Sequence, residues 1–202
     1  MRVNIGNCVL ELFEGDITEM QTDAIVNAAI EQINKLGFSG ISISKIAKEA
    51  NVSPATIYIY FENKEDLLTA IYKDIRKQAE GAVLTNIDES MSIKEQFKAI
   101  WFNSFSFYLN HPEYIQYRKQ FEQTRMMKDI ETNQFELNKY IVEILTKGIE
   151  DKIIQDSPIP LLISFAFIPI ITLIGLHFDN ITIMDEKEIT NACEIAWKSI
   201  KV

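Results

Sequence analysis

Cysteine is nearly absent from this sequence: its 202 residues hold two, Cys8 and Cys193. They stand far apart, outside any CxxC or metal-ligand spacing. That excludes a disulfide framework and a zinc box, and fits a reduced, cytoplasmic protein. Histidine is as scarce, and His111 and His177 are isolated. No nucleophile–base pair, metal cluster or glycine-rich phosphate loop can be drawn, so neither an enzyme nor a bound metal or cofactor is expected. Basic residues are few, 20 Lys and Arg against 29 Asp and Glu, for a net charge of −9. The acidic excess lies at the two ends, and residues 22–80 are close to neutral. A basic nucleic-acid footprint is missing, so DNA binding would rest on specific contacts and helix N-termini, with weak non-specific affinity. Met1-Arg2 is followed by alternation, not by the apolar run of a secretory leader. What is present is globular: 47% apolar and 24% charged residues, enough chain for one large or two small domains.

The stretch from Ser42 to Phe61 carries the clearest local signal. Ser42 can cap a first short helix with Ile46, Ala47 and Ala50 on one face. Asn51 tolerates the left-handed backbone that ends a helix, and Val52 can turn inward. Ser53 followed by Pro54 restarts a helix, a hydroxyl cap and then a proline at the first position. This second helix buries Ile57 and Phe61 and points Ala55, Thr56, Tyr58 and Tyr60 outward. Two short helices around a tight turn make a helix-turn-helix, with Pro54–Tyr60 as the recognition helix. Lys45, Lys48 and Lys64 are placed to face phosphates together with the two helix starts.

The run IAKEANVSPATIYIYFENKEDLL (46–68) resembles the signature of the tetracycline-repressor (TetR) family of transcriptional regulators, over about residues 23–72. The resemblance implies an all-α fold: a helix-turn-helix head and a helical body that holds a small-molecule pocket and a dimer face. It also implies that Lys64 contacts phosphate. The expected DNA-contacting set is Ser42, Lys45, Ser53, Pro54, Ala55, Thr56, Tyr58, Tyr60 and Lys64.

Upstream, Val3 and Ile5, then Val9, Leu10, Leu12 and Phe13, flank Gly6-Asn7 and predict a β-hairpin extension. The same stretch resembles the start of a macro domain, an ADP-ribose-binding module, through Gly15-Asp16-Ile17-Thr18 and Asp23-Ala24-Ile25-Val26-Asn27-Ala28-Ala29. Ile30 stands where that family has asparagine, and its phosphate loops do not follow. ADP-ribose binding or hydrolysis is the alternative function this would imply. Downstream of it, Ile25, Ala29, Ile33 and Leu36 predict the inner face of a helix ending at Gly37.

The domains expected are 1–21 (the β extension), 22–80 (DNA-binding) and 81–202 (ligand-binding and dimerisation). In the last, helical spacing predicts segments 93–110, from Pro112 past Phe121, about 132–150, 160–178 and 185–200. Aromatic residues crowd the first two. At this spacing they read as core more often than as a ligand box; the family resemblance raises the second option, a pocket with Trp101, Phe105, Tyr108, Tyr117, Phe121 and Phe165 as candidates. Such a pocket would take a hydrophobic or amphipathic effector. Residues 159–176 carry no charge and reach the lower length of a membrane span. Pro160, Pro169 and the lack of a flanking basic cluster speak instead for a helix packed between its own core and a partner. The resemblance implies that the last two long helices pair with their copies, through Ile163, Phe167, Ile171, Ile189, Ala192 and Ala196. The whole reads as a homodimeric, ligand-responsive repressor on a palindromic operator, with no membrane partner.

Overall fold

The computed structural model describes residues 2–5, 8–11, 17–88, 90–130 and 135–202, with side chains from Thr22 onward. Two four-residue strands open the chain, β1 (Arg2–Ile5) and β2 (Cys8–Glu11), antiparallel with Arg2 opposite Glu11. The expected turn at Gly6-Asn7 and the packing of Leu12 and Phe13 fall outside the described residues. All later described elements are helical. The chain divides into two units, Met1–Leu68 and Thr69–Val202. The division falls inside helix α4 (Lys64–Val83) rather than at the expected 80/81 boundary. A continuous helix carries no composition break, so its assignment to two units leaves no mark in the sequence.

In the first unit, α1 (Ile17–Gly40) turns at Gly37, whose φ of 69° lies in the left-handed region that glycine enters without a Cβ clash. Ile25, Ala28, Ala29, Ile30 and Ile33 are buried, whereas Leu36, expected on the same face, is 47% exposed. The break at Gly37 follows directly, and Leu36 lies in the last turn before it. Next come α2 (Ile43–Glu49) and α3 (Pro54–Tyr60). Ser42 caps α2, its side chain accepting from the Lys45 amide. Asn51 takes φ 54°. The Asn51 and Val52 amides close back on the Lys48 and Ala47 carbonyls at 3.3 and 2.9 Å, which satisfies carbonyls that a helix end leaves open. Ile41, Ile46, Ala47, Ile57 and Phe61 close the small core. Each buried isoleucine there contributes about 1.5–3 kcal/mol.

In the second unit, α5 (Ile93–Asn110) starts on a reciprocal cap: Ser92 accepts from the Glu95 amide, and Glu95 accepts from the Ser92 amide. Then follow α6 (Pro112–Phe121), a 3₁₀ turn (Arg125–Asp129), α7 (Glu136–Glu150), α8 (Ile159–Ala166), α9 (Pro169–Phe178) and α10 (Glu186–Ile200). Phe97, Ile100, Trp101, Phe105, Leu145, Ala166, Ile174, Cys193 and Trp197 belong to its main core. Burial pushes the Cys193 thiol up to about 12, so it behaves as a small apolar residue there.

The single helix expected over 160–178 is two helices. Pro169 has no N–H to give to the Phe165 carbonyl, and its ring crowds that turn. The Phe167 and Ile168 amides both fall on the Ile163 carbonyl, at 2.9 and 3.2 Å, and the Ile170 amide takes Phe167. The Ala166 carbonyl, which Ile170 would otherwise have used, accepts from the Trp101 indole at 3.1 Å. Residues 159–178 pass a membrane span's test of length and composition. As folded they are helices of 8 and 10 residues, each short of the roughly 20 that cross a bilayer.

Candidate nucleic-acid interface and effector core

The helix α3 is held by its own start. The Ser53 hydroxyl accepts from the Thr56 amide at 3.1 Å and shares a hydrogen bond with the Thr56 hydroxyl at 2.9 Å. Pro54 follows at the first helical position. Ser42, Ser53, Pro54, Ala55 and Tyr58 are exposed, and Thr56 and Tyr60 are half-buried. Thr56 therefore works inward as part of the cap, with its hydroxyl already engaged. The most exposed large apolar side chain on α3 is Ile59, 75% accessible beside Tyr58 at 56%. Ile59 is not among the contacts expected from the sequence, although the pattern holds the signal. Two helical positions beyond buried Ile57 lies nearly the opposite face.

Two lysines expected to face phosphate are tied to backbone instead. Lys45 Nζ donates to the Gly40 carbonyl at 2.7 Å. Lys64 Nζ donates to the carbonyls of Phe38 and Ile41 at 2.8 and 3.2 Å. These are the open carbonyls where α1 hands over to α2, and a cation there offsets their partial charge. An ammonium has three donors, so Lys64 retains one. It is half-buried, neither a freely solvated charge nor a free phosphate ligand. Lys64→Met should therefore lower the stability of the first unit by about 1–3 kcal/mol, as well as weaken DNA binding. A thermal melt of the variant checks this. An unchanged melting curve would mean the two carbonyl contacts contribute nothing.

The aromatic set in the second unit is not one box. Trp101, Phe105, Tyr108, Tyr117 and Phe121 are all buried, at 0–5% exposure, but Phe165 is 58% exposed on α8. Trp101 stacks on Phe105 at 5.4 Å between centroids and belongs, with Tyr108, to the main core. Tyr117 and Phe121 form a second group with Tyr72, which stacks on Phe121 at 4.3 Å. Arg118 links the two groups, donating to the Tyr108 hydroxyl at 2.7 Å and to Glu122 through Nε and Nη2 at 3.0 and 2.8 Å. Burial works against its charge, yet Tyr108 and Glu122 outweigh it and hold the guanidinium firmly protonated.

The residues expected at a dimer face also pack against the chain's own core. Ile163, Phe167, Ile171, Ile189 and Ala192 are partly buried against their own core, and Ala196 is buried within it. Cys193, Ala196, Trp197 and Ile200 define the inner stripe of α10, which leaves Ile195 outside at 68% exposure. Across α8 and the break before α9, the apolar side chains left uncovered are Leu161, Phe165 and Ile168, at 48%, 58% and 57%. Phe165 thus belongs to this outer face, not to a pocket. Among the described residues no His, Cys, Asp and Glu cluster suits a metal ion.

Residues 25–71 match the family described as bacterial regulatory proteins, tetR family, and residues 92–201 match a tetracyclin repressor-like C-terminal domain. The chain is 32% identical over 108 residues to an uncharacterized HTH-type transcriptional regulator of Haemophilus influenzae, covering 54% of this chain and 58% of that one. It is 38% identical over 82 residues to the fatty acid metabolism regulator protein of Bacillus subtilis, covering 41% and 42%. The chain thus spans about half the length of these curated relatives. Among solved structures, a TetR family transcription regulator from Marinobacter aquaeolei superposes with a TM-score of 0.82 at 28% identity, over 91% of this chain and 96% of that one. The transcriptional regulator FadR from Bacillus subtilis, in complex with stearoyl-CoA, gives 0.69 at 26%, over 88% and 95%. The macro-domain resemblance finds no support. Neither family match reaches residues 1–24, and residues 17–29 form one helix with the rest of α1. With its C-terminal match alone covering more than half of its length, the chain belongs to the TetR family of bacterial regulatory proteins.

Proposed function

We propose that the chain is a homodimeric, ligand-responsive repressor that reads a two-fold symmetric DNA operator with α3. The observation that carries this reading is the doubly capped α2–α3 pair with Ala55, Tyr58 and Ile59 exposed together. Ala55 permits close approach, Tyr58 can donate to phosphate or base edges, and Ile59 offers the branched apolar contact suited to a thymine methyl. The dimer would form through Leu161, Phe165 and Ile168 on one side of the second unit, with α10 and Ile195 completing the face. Two heads would then meet successive major grooves about 34–36 Å apart. Residues 22–80 would serve as the DNA-binding part and 81–202 as the effector and dimer part, with the hairpin as an added extension. The protein would act in the cytoplasm by binding alone, without chemistry.

The effector is an acyl-chain amphiphile in this reading. The fatty acid metabolism regulator of B. subtilis and the stearoyl-CoA complex of its FadR support that choice, as does the apolar, aromatic composition of the second unit. A ligand favouring a state in which the heads are spread would shift that equilibrium and release DNA. The test is selection of duplexes from a random pool by the intact protein. A site with two-fold symmetry should emerge, and Tyr58→Ala with Ile59→Ala should bind it at least about tenfold more weakly while melting like the wild type. A pool that yields no enriched site would end this reading.

A further inference from the structure

We infer that Arg76 anchors the oxyanion head of an amphipathic effector, whose apolar tail follows the aromatic row Phe135, Tyr72, Phe121 and Tyr117. This rests on the reading of the second unit as effector-binding. Arg76 lies on α4 one turn beyond Tyr72, which is 2% exposed. Its Nη2 donates to Asn138 Oδ1 at 2.6 Å, and its guanidinium carbon sits 4.9 Å from the Phe135 ring centre. Its Nε is buried and, among the described residues, has no hydrogen-bond partner. Among the described residues, no carboxylate forms an ion pair with it.

Arg76 contrasts with Arg118. That guanidinium is paired with the Glu122 carboxylate and donates to the Tyr108 hydroxyl. Among the described residues, Arg76 has an amide oxygen and a ring face instead of a counter-charge. A fork of donors on a partly buried cation, in a chain of net charge −9, lacks only an acceptor that carries charge. Burial pushes the Tyr72 hydroxyl up, and the nearby Arg76 and Arg118 charges pull it back. Both cations therefore act on the same buried point. The row beside it is continuous: Tyr72 stacks on Phe121, meets Phe135 edge-on at 6.5 Å between centroids, and Tyr117 stacks beyond Phe121 at 6.3 Å. An oxyanion on Arg76 Nε–H would set the rest of the molecule beside Phe135, the ring under the guanidinium, at the start of this row. Carboxylate and phosphate share that chemistry, one as a free fatty acid and the other as a phosphorylated acyl compound.

The experiment is calorimetric titration of the full chain with dodecanoate, dodecyl phosphate and dodecanol. The wild type should bind at least one of the two anions about tenfold or more tighter than dodecanol. The anion preferred identifies the head group. Arg76→Met keeps the apolar stem and should bring all three probes to similar affinity, with a ligand-free melting temperature no lower than wild type. Arg76→Lys keeps a charge over Phe135 but loses the Nε donor, and should lose the anion preference several-fold even where the Met variant does not fold. Equal binding of the three probes, binding of neither anion, or a preference that survives both substitutions overturns the assignment. Duplex binding separates this from the function proposed above. An anion held by Arg76 without any effect on DNA affinity leaves the site standing and removes the ligand response. A ligand response that ignores Arg76 does the reverse.

Discussion

Ile168→Glu is expected to leave the chain folded and to make it monomeric. Ile168 is 57% exposed where α8 breaks before α9, beside Phe165 at 58% and Leu161 at 48%. Its substitution removes little that the chain packs against itself. On a two-fold axis each new carboxylate would be buried without a partner, at a cost of several kcal/mol. About 3 kcal/mol is already more than a hundredfold in dimer affinity, and operator binding should fall with it, since one head makes half the contacts. Ile171 and Ala192 would be poorer positions for this test. Both are partly buried against the chain's own core, so a charge there would damage the fold as well. Sedimentation at micromolar concentration without detergent, with helical circular dichroism alongside, reads both effects. A variant that still sediments as a dimer would place the interface elsewhere.

Trp101→Ala should be the most damaging core substitution. Trp101 is wholly buried, stacked on Phe105, and it closes the Ala166 carbonyl that the α8–α9 break exposes. Removing the ring costs about 3–5 kcal/mol in lost burial and cavity. The orphaned carbonyl adds to that on a scale of about 1–3 kcal/mol. Trp101→Phe separates the two effects, since it keeps an aromatic ring and loses the donor. It should cost about 1–3 kcal/mol. Urea unfolding measures both through the midpoint at constant slope. If Trp101→Phe is as stable as the wild type, the indole bond does not hold the break.

The head was legible because its signals are local. Ser42, Asn51, Ser53 and Pro54 each set one backbone event, and each does so in the structure. The fate of Lys64 was not legible, since it depends on the carbonyls of Phe38 and Ile41, far from it in sequence. Periodicity located the helices of the second unit but not their orientation. The run 159–178 is apolar on every side, so nothing in it distinguishes Phe165, which faces out, from Ala166, which faces in. Pro169 speaks in the sequence against a membrane span, yet its consequence, two helices and a tryptophan-capped carbonyl, depends on what lies beside Ala166. Arg76 gave no sequence signal. Its meaning comes from Phe135 and Asn138, far along the chain.

Sequence-specific DNA recognition falls here to a protein whose net charge opposes DNA. The most direct measurement is the ratio of affinities for the selected duplex and for a scrambled duplex of equal length and composition, at one fixed salt concentration. Specific recognition through the exposed face of α3 predicts a ratio of about a thousand or more, with weak scrambled-duplex binding because the chain carries −9. A ratio near one, or no binding to either duplex, would contradict the account.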